Sequence, residues 1–268
     1  MILWNLDLLL DEPAVFFIVV PLSFLLLLMA VLAGSCHQPW ARDACPCSRT
    51  VKAVVVTGGH GFEREAFLEI FRSFDDVFFT EAPQHDDSEI FEDINSWPYD
   101  VIVLYNMTQR ISARRRAHLL QLLDRGVGLV VLHHALASFQ DWPEYRKIVG
   151  GKYFLAETEI DGVKYLRGAY RHDVDIPIEI IDKEHPVTRG MDDFIIHDET
   201  YKNYIYEPDN HYLLRTDHPL NNELLGWTRT YRAARICYLQ LGHGPSAYRD
   251  ENYRRLVHQA LKWCAGKD

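Results

Sequence analysis

Apolar residues come in two textures along this chain. Residues 14–34 run without a single charge. From Val51 onward the apolar residues form short blocks parted by polar turns. Residues 51–57 are a β-branched block ending at Gly58-Gly59, which predicts a strand. Behind it Phe62, Ala66, Phe67, Ile70 and Phe71 recur at three-four spacing, with Glu63 and Glu65 early, which predicts a helix. Residues 77–79 and 100–105 predict a second and a third strand. Ser112 is placed to cap a helix that runs to Arg125 and stops at Gly126, with Leu119, Leu122 and Leu123 on one face. Residues 128–132 predict a fourth strand, apolar throughout.

Apolar runs of this kind suit parallel strands covered on both faces. Strands alternating with helices predict an α/β fold with a doubly wound, mostly parallel sheet. The second half is richer in strands. Residues 173–182 alternate, and Pro177 places that strand at an edge. Residues 235–241 predict another core strand, and 252–265 a last amphipathic helix carrying Leu256, Ala260, Leu261 and Trp263. No internal repeat appears. The simplest organisation is one domain, 51–268, behind a leader (1–35) and a linker (36–50).

Composition separates the leader from the domain. Of the first 35 residues 26 are hydrophobic, against about 44% of the rest, an ordinary globular share. The uncharged run is long enough for a bilayer and ends in Ala33-Gly34-Ser35-Cys36, which resembles a lipobox with Cys36 as the lipidated residue. Asp7, Asp11 and Glu12 precede it without a basic residue, unlike an exported signal, and Arg42, Arg49 and Lys52 follow it. The expectation is a membrane-associated protein, lipidated or exported, with an uncleaved anchor facing the cytoplasm and a misassigned start as alternatives. Cys45 and Cys47 fall in the linker, too close for a zinc knuckle, and Cys237 and Cys264 read as packed thiols.

The net charge is −10, of which −8 lies beyond residue 50. An acidic domain is a poor partner for nucleic acid. Its one basic cluster, Arg114 to Arg116, reads as a solvated helix face.

Ligands in open α/β sheets bind at the carboxyl ends of the strands. Polar residues stand at those places: His60 after the first strand, Asn106 after the third, and His133 and His134 after the fourth. Asp198, Glu199 and Tyr201 follow the short apolar stretch 194–196, and His243 follows the last strand. Gly58-Gly59-His60-Gly61 is no dinucleotide fingerprint, and no phosphate-binding loop occurs, so no nucleotide cofactor is expected. The strand-to-helix elbow holds His134, with Ser138 beyond it, so a nucleophile for acyl transfer is missing. Imidazoles with a carboxylate are left. Two uses stay open: holding a divalent, zinc-like metal, or acting directly as acid and base. His185-Pro186 reads as a turn, and His172, His197, His211 and His218 as ordinary residues.

These segments together resemble the ThuA-like (trehalose utilisation) family of the class I glutamine amidotransferase-like superfamily. The stretches that carry the resemblance are GGHGFE (58–63), YDVIVLYN (99–106), GVGLVVLHHALASFQDWPEYRKIVGG (126–151), HPVTRGMDDFIIHDETY (185–201), LLRTD (213–217) and RICYLQLGH (235–243). The resemblance implies a flavodoxin-like fold with strand-rich insertions and no glutaminase cysteine. It also implies a role in carbohydrate catabolism beside a sugar oxidoreductase, with 3-keto sugars or glycosides as substrates. On that basis His60, His134, His243 and Glu199 are the expected metal ligands or acid/base groups. Tyr201 and Asn106 would bond sugar hydroxyls, with His133 and Asp198 beside them, and Phe62, Trp227 or Trp142 would stack on a sugar face. A non-catalytic sugar-binding or scaffold protein is the other reading. One departure stands out: Ala233-Ala234, where glycine and a basic residue are usual before the last strand.

Overall fold

The computed structural model describes residues 50–85 and 87–268. The leader, Cys36, Cys45 and Cys47 lie outside the described residues. Among the described residues no helix is long and apolar enough to cross a membrane.

One nine-stranded sheet organises the domain, in the order β2-β1-β3-β4-β13-β12-β11-β8-β9. Its first five strands are parallel: β1 (Val51–Gly58), β2 (Val77–Pro83), β3 (Val101–Asn106), β4 (Gly128–Leu132) and β13 (Ala234–Leu239). This 2-1-3-4-5 pattern is the flavodoxin-like order. The chain leaves β1 to one side for β2 and returns on its other side for β3, which opens a crevice above the carboxyl ends of β1 and β3. Helices α1 (Arg64–Arg72) and α5 (Glu251–Cys264) pack on one face of the sheet, and α2 (Ala113–Asp124) and α3 (Pro143–Val149) on the other. Both faces are therefore covered, and this is why the central strands are apolar at nearly every position.

Local signals match these elements. The Ser112 hydroxyl accepts the Arg115 amide at the start of α2, and Gly126 takes φ +83° just past its end. Asp250 caps α5 in the same way through the Tyr253 amide. Cys237 and Cys264 are buried free thiols. Arg114 and Arg115 pair with Glu92, and Arg115 also with Asp87, so the basic cluster is largely neutralised by neighbouring acids.

The remaining strands are antiparallel: β12 (Leu224–Tyr231), β11 (His211–Arg215), β8 (Ala169–Ile180) and β9 (Phe194–Lys202). β11 pairs only with Glu179 and Ile180 of β8, so Pro177 sits on an open stretch of that strand's edge. Small ribbons complete the fold: β5 (Gly151–Lys152) with β10 (Ile205–Tyr206), and the hairpin of β6 (Thr158–Ile160) and β7 (Val163–Tyr165). Arg232 and Ala233 form the two-residue turn between β12 and β13, with Arg232 at φ +55°. The alanines that depart from the family pattern leave β13 in register with β4. A short helix α4 (Pro245–Arg249) follows β13.

Candidate functional site

Four of the parallel strands deliver polar residues at their carboxyl ends. Gly59 (φ +74°) makes the turn that presents His60; a Cβ there would sit 2.6 Å from the Met107–Thr108 backbone. β4 ends at Leu132, and the next residue, His133, takes φ +50°. A non-glycine residue in this region costs about 1–3 kcal/mol, and such strain collects at functional sites. The elbow of the fold is therefore His133 and not His134, as the sequence reading had it.

The three DETY residues arrive differently. Asp198, Glu199 and Tyr201 do not follow a strand; they lie inside β9, which continues to Lys202. All four residues from Asp198 to Tyr201 are buried, so both faces of the strand are covered there. Asp198 fastens β9 to the loop after β13. Its carboxylate accepts the amides of Gly242 (2.7 Å) and His243 (2.9 Å). The Tyr105 and Tyr248 hydroxyls contact the carbonyls of the same two residues. Gly242 is required in that loop: its φ is +107°, and a Cβ would come within 2.1 Å of the Tyr253 hydroxyl.

This clamp brings His243 onto Glu199 and His133. Three atoms form a near-equilateral triangle: His133 Nε2 to Glu199 Oε2 is 3.0 Å, His133 Nε2 to His243 Nδ1 is 3.1 Å, and His243 Nδ1 to Glu199 Oε2 is 3.1 Å. His133 Nδ1 lies 2.6 Å from the Gln240 carbonyl oxygen, which only accepts, so that nitrogen carries the proton. In a neutral ring, Nε2 then presents a lone pair to a carboxylate oxygen. Glu199 is ionised: burial alone would raise its pKa, but His133 and His243 outweigh burial and hold it well below the usual range. The Tyr201 hydroxyl reaches the same Nε2 at 2.9 Å and can donate to it. The close set of His133 Nε2, His243 Nδ1 and the Glu199 carboxylate also suits a cation, either a proton on His243 Nδ1 or a metal ion. The donor set (two imidazoles and a carboxylate) and the edge lengths suit a divalent ion with bonds of about 2.0–2.2 Å. The carbonyl behind His133 supplies the backing that fixes a ligating histidine's tautomer.

A cavity of about 240 Å³ opens beside this triangle, walled by His60, His134, His172, His243, Glu199, Tyr153, Tyr170, Tyr201 and Arg167. A larger hollow of about 640 Å³ between β8, β9 and β11 holds no comparable cluster. In the smaller cavity, His60 stacks on His134 with centroids 4.5 Å apart. The covered part of the His60 ring lowers its pKa, although its edge is open to solvent. His134 is buried, and burial, then His133, pushes it well below the usual value, so it is neutral. Neither of its ring nitrogens has a hydrogen-bond partner. His243 is raised by Glu199. Burial raises Asp198.

The expected residues thus divide. His60, His134, Glu199, Tyr201 and His243 meet at the cavity. His133 belongs to the triangle in place of His60 and His134, because only its Nε2 reaches Glu199 Oε2 and His243 Nδ1 together. Asp198 is spent on backbone amides and does not line this cavity. Asn106 is wholly buried outside the lining, with both side-chain polar atoms unpartnered. Phe62 packs edge-on against Phe67 and Tyr105. Trp227 is fully buried and donates to the Val149 carbonyl, and Trp142 packs on Phe139 and Tyr145; neither offers a face to a sugar.

His172, read as ordinary, is at the site, with Nδ1 3.1 Å from Glu199 Oε1. His197 and His211 keep ordinary roles, paired with Asp175 and Asp182. Tyr153, Tyr170 and Arg167 were also missed. They come from the segment around the β6–β7 hairpin and from the start of β8, where no strand-exit rule applies. Both places lie before the alternating stretch 173–182, so the sequence carried no signal for them.

Comparison with known proteins places the fold. The ThuA family profile, described as trehalose utilisation, matches residues 52–264. A ThuA-like protein of Parabacteroides merdae superposes with a TM-score of 0.66 at 21% identity, over 81% of this chain and 90% of that one. A second, from Bacteroides uniformis, gives 0.57 at 22% identity, over 81% and 91%. A protein of Salmonella typhimurium described as cytoplasmic gives 0.53 at 15% identity, over 79% and 98%. The fold of the ThuA-like neighbours is glutamine amidotransferase-like. No curated protein sequence matches the chain.

Proposed function

The chain belongs to the ThuA (trehalose utilisation) family, and from that premise we propose that its cleft acts on oxidised, 3-keto sugars or glycosides. The observation that carries the reading is the His133–Glu199–His243 triangle beside a cavity walled by histidines and tyrosines. A ketone at C3 acidifies the C2 proton. A base removes that proton, its electron pair forms the C1–C2 double bond, the C1–oxygen bond breaks, and the aglycone leaves as an alcohol after taking up a proton.

In this reading His60 is the base. It is at the cavity, and its lowered pKa keeps it unprotonated at neutral pH. His134, neutral and unpartnered, offers a ring N–H to the oxygen on which charge develops. His133, Glu199 and His243 hold a divalent ion, which when bound supplies Lewis-acid stabilisation of that charge. The Tyr153 and Tyr170 hydroxyls bond sugar hydroxyls, while the Tyr201 hydroxyl stands 2.9 Å from His133 Nε2, beside the place of the ion. Because the substrate is a ketone, a sugar oxidoreductase has to supply it.

Metal analysis and turnover test this together. The purified protein should carry stoichiometric divalent metal and release aglycone from a 3-keto-glucoside, and Glu199→Gln should lose both. Sugar binding without turnover would instead make the protein a non-catalytic sugar-binding module. For the leader we propose membrane attachment through Cys36; labelling by a lipid precursor should disappear in Cys36→Ala.

A further inference from the structure

β8 and β9 pair regularly except at one place. The register shifts between Arg171↔Thr200 and Val174↔Asp198, so β8 holds His172 and Asp173 where β9 holds only Glu199. Asp173 takes φ +58° there. This is a β-bulge, a device that re-aims a side chain and is frequent beside active sites. A regular strand would alternate faces through this stretch. The bulge instead turns His172 toward the site, and its Nδ1 lies 3.1 Å from Glu199 Oε1. Its ring stands 4.5 Å from that of His243, and His172 walls the 240 Å³ cavity on one side and a second hollow, of about 330 Å³, on the other.

The two oxygens of Glu199 are therefore divided. Oε2 faces His133 and His243. Oε1 faces His172. We propose that His172 is a positioning residue for Glu199: by engaging Oε1 it fixes the carboxylate plane, so that Oε2 alone completes the triangle and a bound cation meets one oxygen rather than two. The left-handed backbone at Asp173 is the local cost of that aim. This inference rests on the metal reading of the triangle, but the carboxylate's orientation can be measured without it.

Two measurements test it. Titration of the full-length protein with Zn²⁺ alone, in competition with a chelator, should show about 10–100-fold weaker binding in His172→Ala. His172→Asn, which keeps an N–H donor near the Nδ1 position, should recover most of the loss. Equal affinity in His172→Ala and wild type overturns the proposal. A crystal structure of His172→Ala gives the second reading: a Glu199 carboxylate rotated off the His133–His243 edge supports it, and an unmoved carboxylate overturns it. If wild type binds no Zn²⁺, the metal reading falls, and the crystal structure still decides the role of His172.

Discussion

The parallel and antiparallel halves of the sheet supply the site by different rules. β1, β4 and β13 hand over His60, His133, His134 and His243 where the strands end. β8 and β9 hand over His172, Glu199 and Tyr201 from within their length, through a bulge and a fully covered strand segment. A strand end is marked in sequence, because the apolar run stops and a turn begins. A mid-strand residue is marked only by register, which depends on a partner strand. The parallel half therefore sets where the cleft is, and the antiparallel half sets what charge stands in it.

The sharpest way to break this division is to remove the charge. Glu199→Gln should lower kcat/KM on a 3-keto-glucoside by about 10³-fold, and should also lower the thermal midpoint when the wild type is measured with its ion bound. A loss below tenfold would mean that the parallel half carries the chemistry alone. Next in size is the fastening between the halves. Asp198→Ala strands the Gly242 and His243 amides and should cost about 3 kcal/mol in urea unfolding. An unchanged midpoint would show the halves to be held otherwise.

The histidines of the parallel half come next. His60→Ala should reduce kcat by about 10²-fold. In the wild type the acid limb of kcat/KM belongs to His60. Its pKa is lowered, so the base is available above that lowered value and is lost as pH falls through it, which puts the limb below 6.5. An acid limb above 6.5 would move the base to another residue. The smallest effect marks a control far from the cleft. Ser112→Ala removes the cap of α2 and should cost about 1 kcal/mol of stability with activity per folded molecule unchanged.

The same division explains what was legible in the sequence. The order of strands and helices from β1 to β4 follows from apolar blocks, a cap and glycine stops, because each of these acts locally. His60 and His243 were found by the strand-end rule alone. His133 and His134 were singled out as a pair with the elbow at His134; the φ of +50° puts the elbow at His133, whose Nε2 is the one that reaches Glu199 and His243. Glu199 was found for the wrong reason, as a residue after a strand that in fact contains it. His172 was dismissed, because a bulge is a mismatch between two strands and leaves no trace in one of them. Trp227 was favoured for its chemistry, but its burial depends on β12 lying inside the sheet, next to β13 and β11.

The triangle also acts as a cross-link in the folding of the chain. His133 and Glu199 are 66 residues apart, and His133 and His243 are 110 apart. Bringing together contacts this distant carries a loop-closure entropy that grows slowly with the length of chain between them. An unfolded chain cannot hold the three atoms together, so a cation seated there binds the native state alone. Its concentration then sets the unfolding midpoint by mass action, by about 2.7 kcal/mol at a hundredfold excess over its dissociation constant. With such an ion bound, a site built from both halves of the sheet would make the stability of the folded domain depend on ion supply.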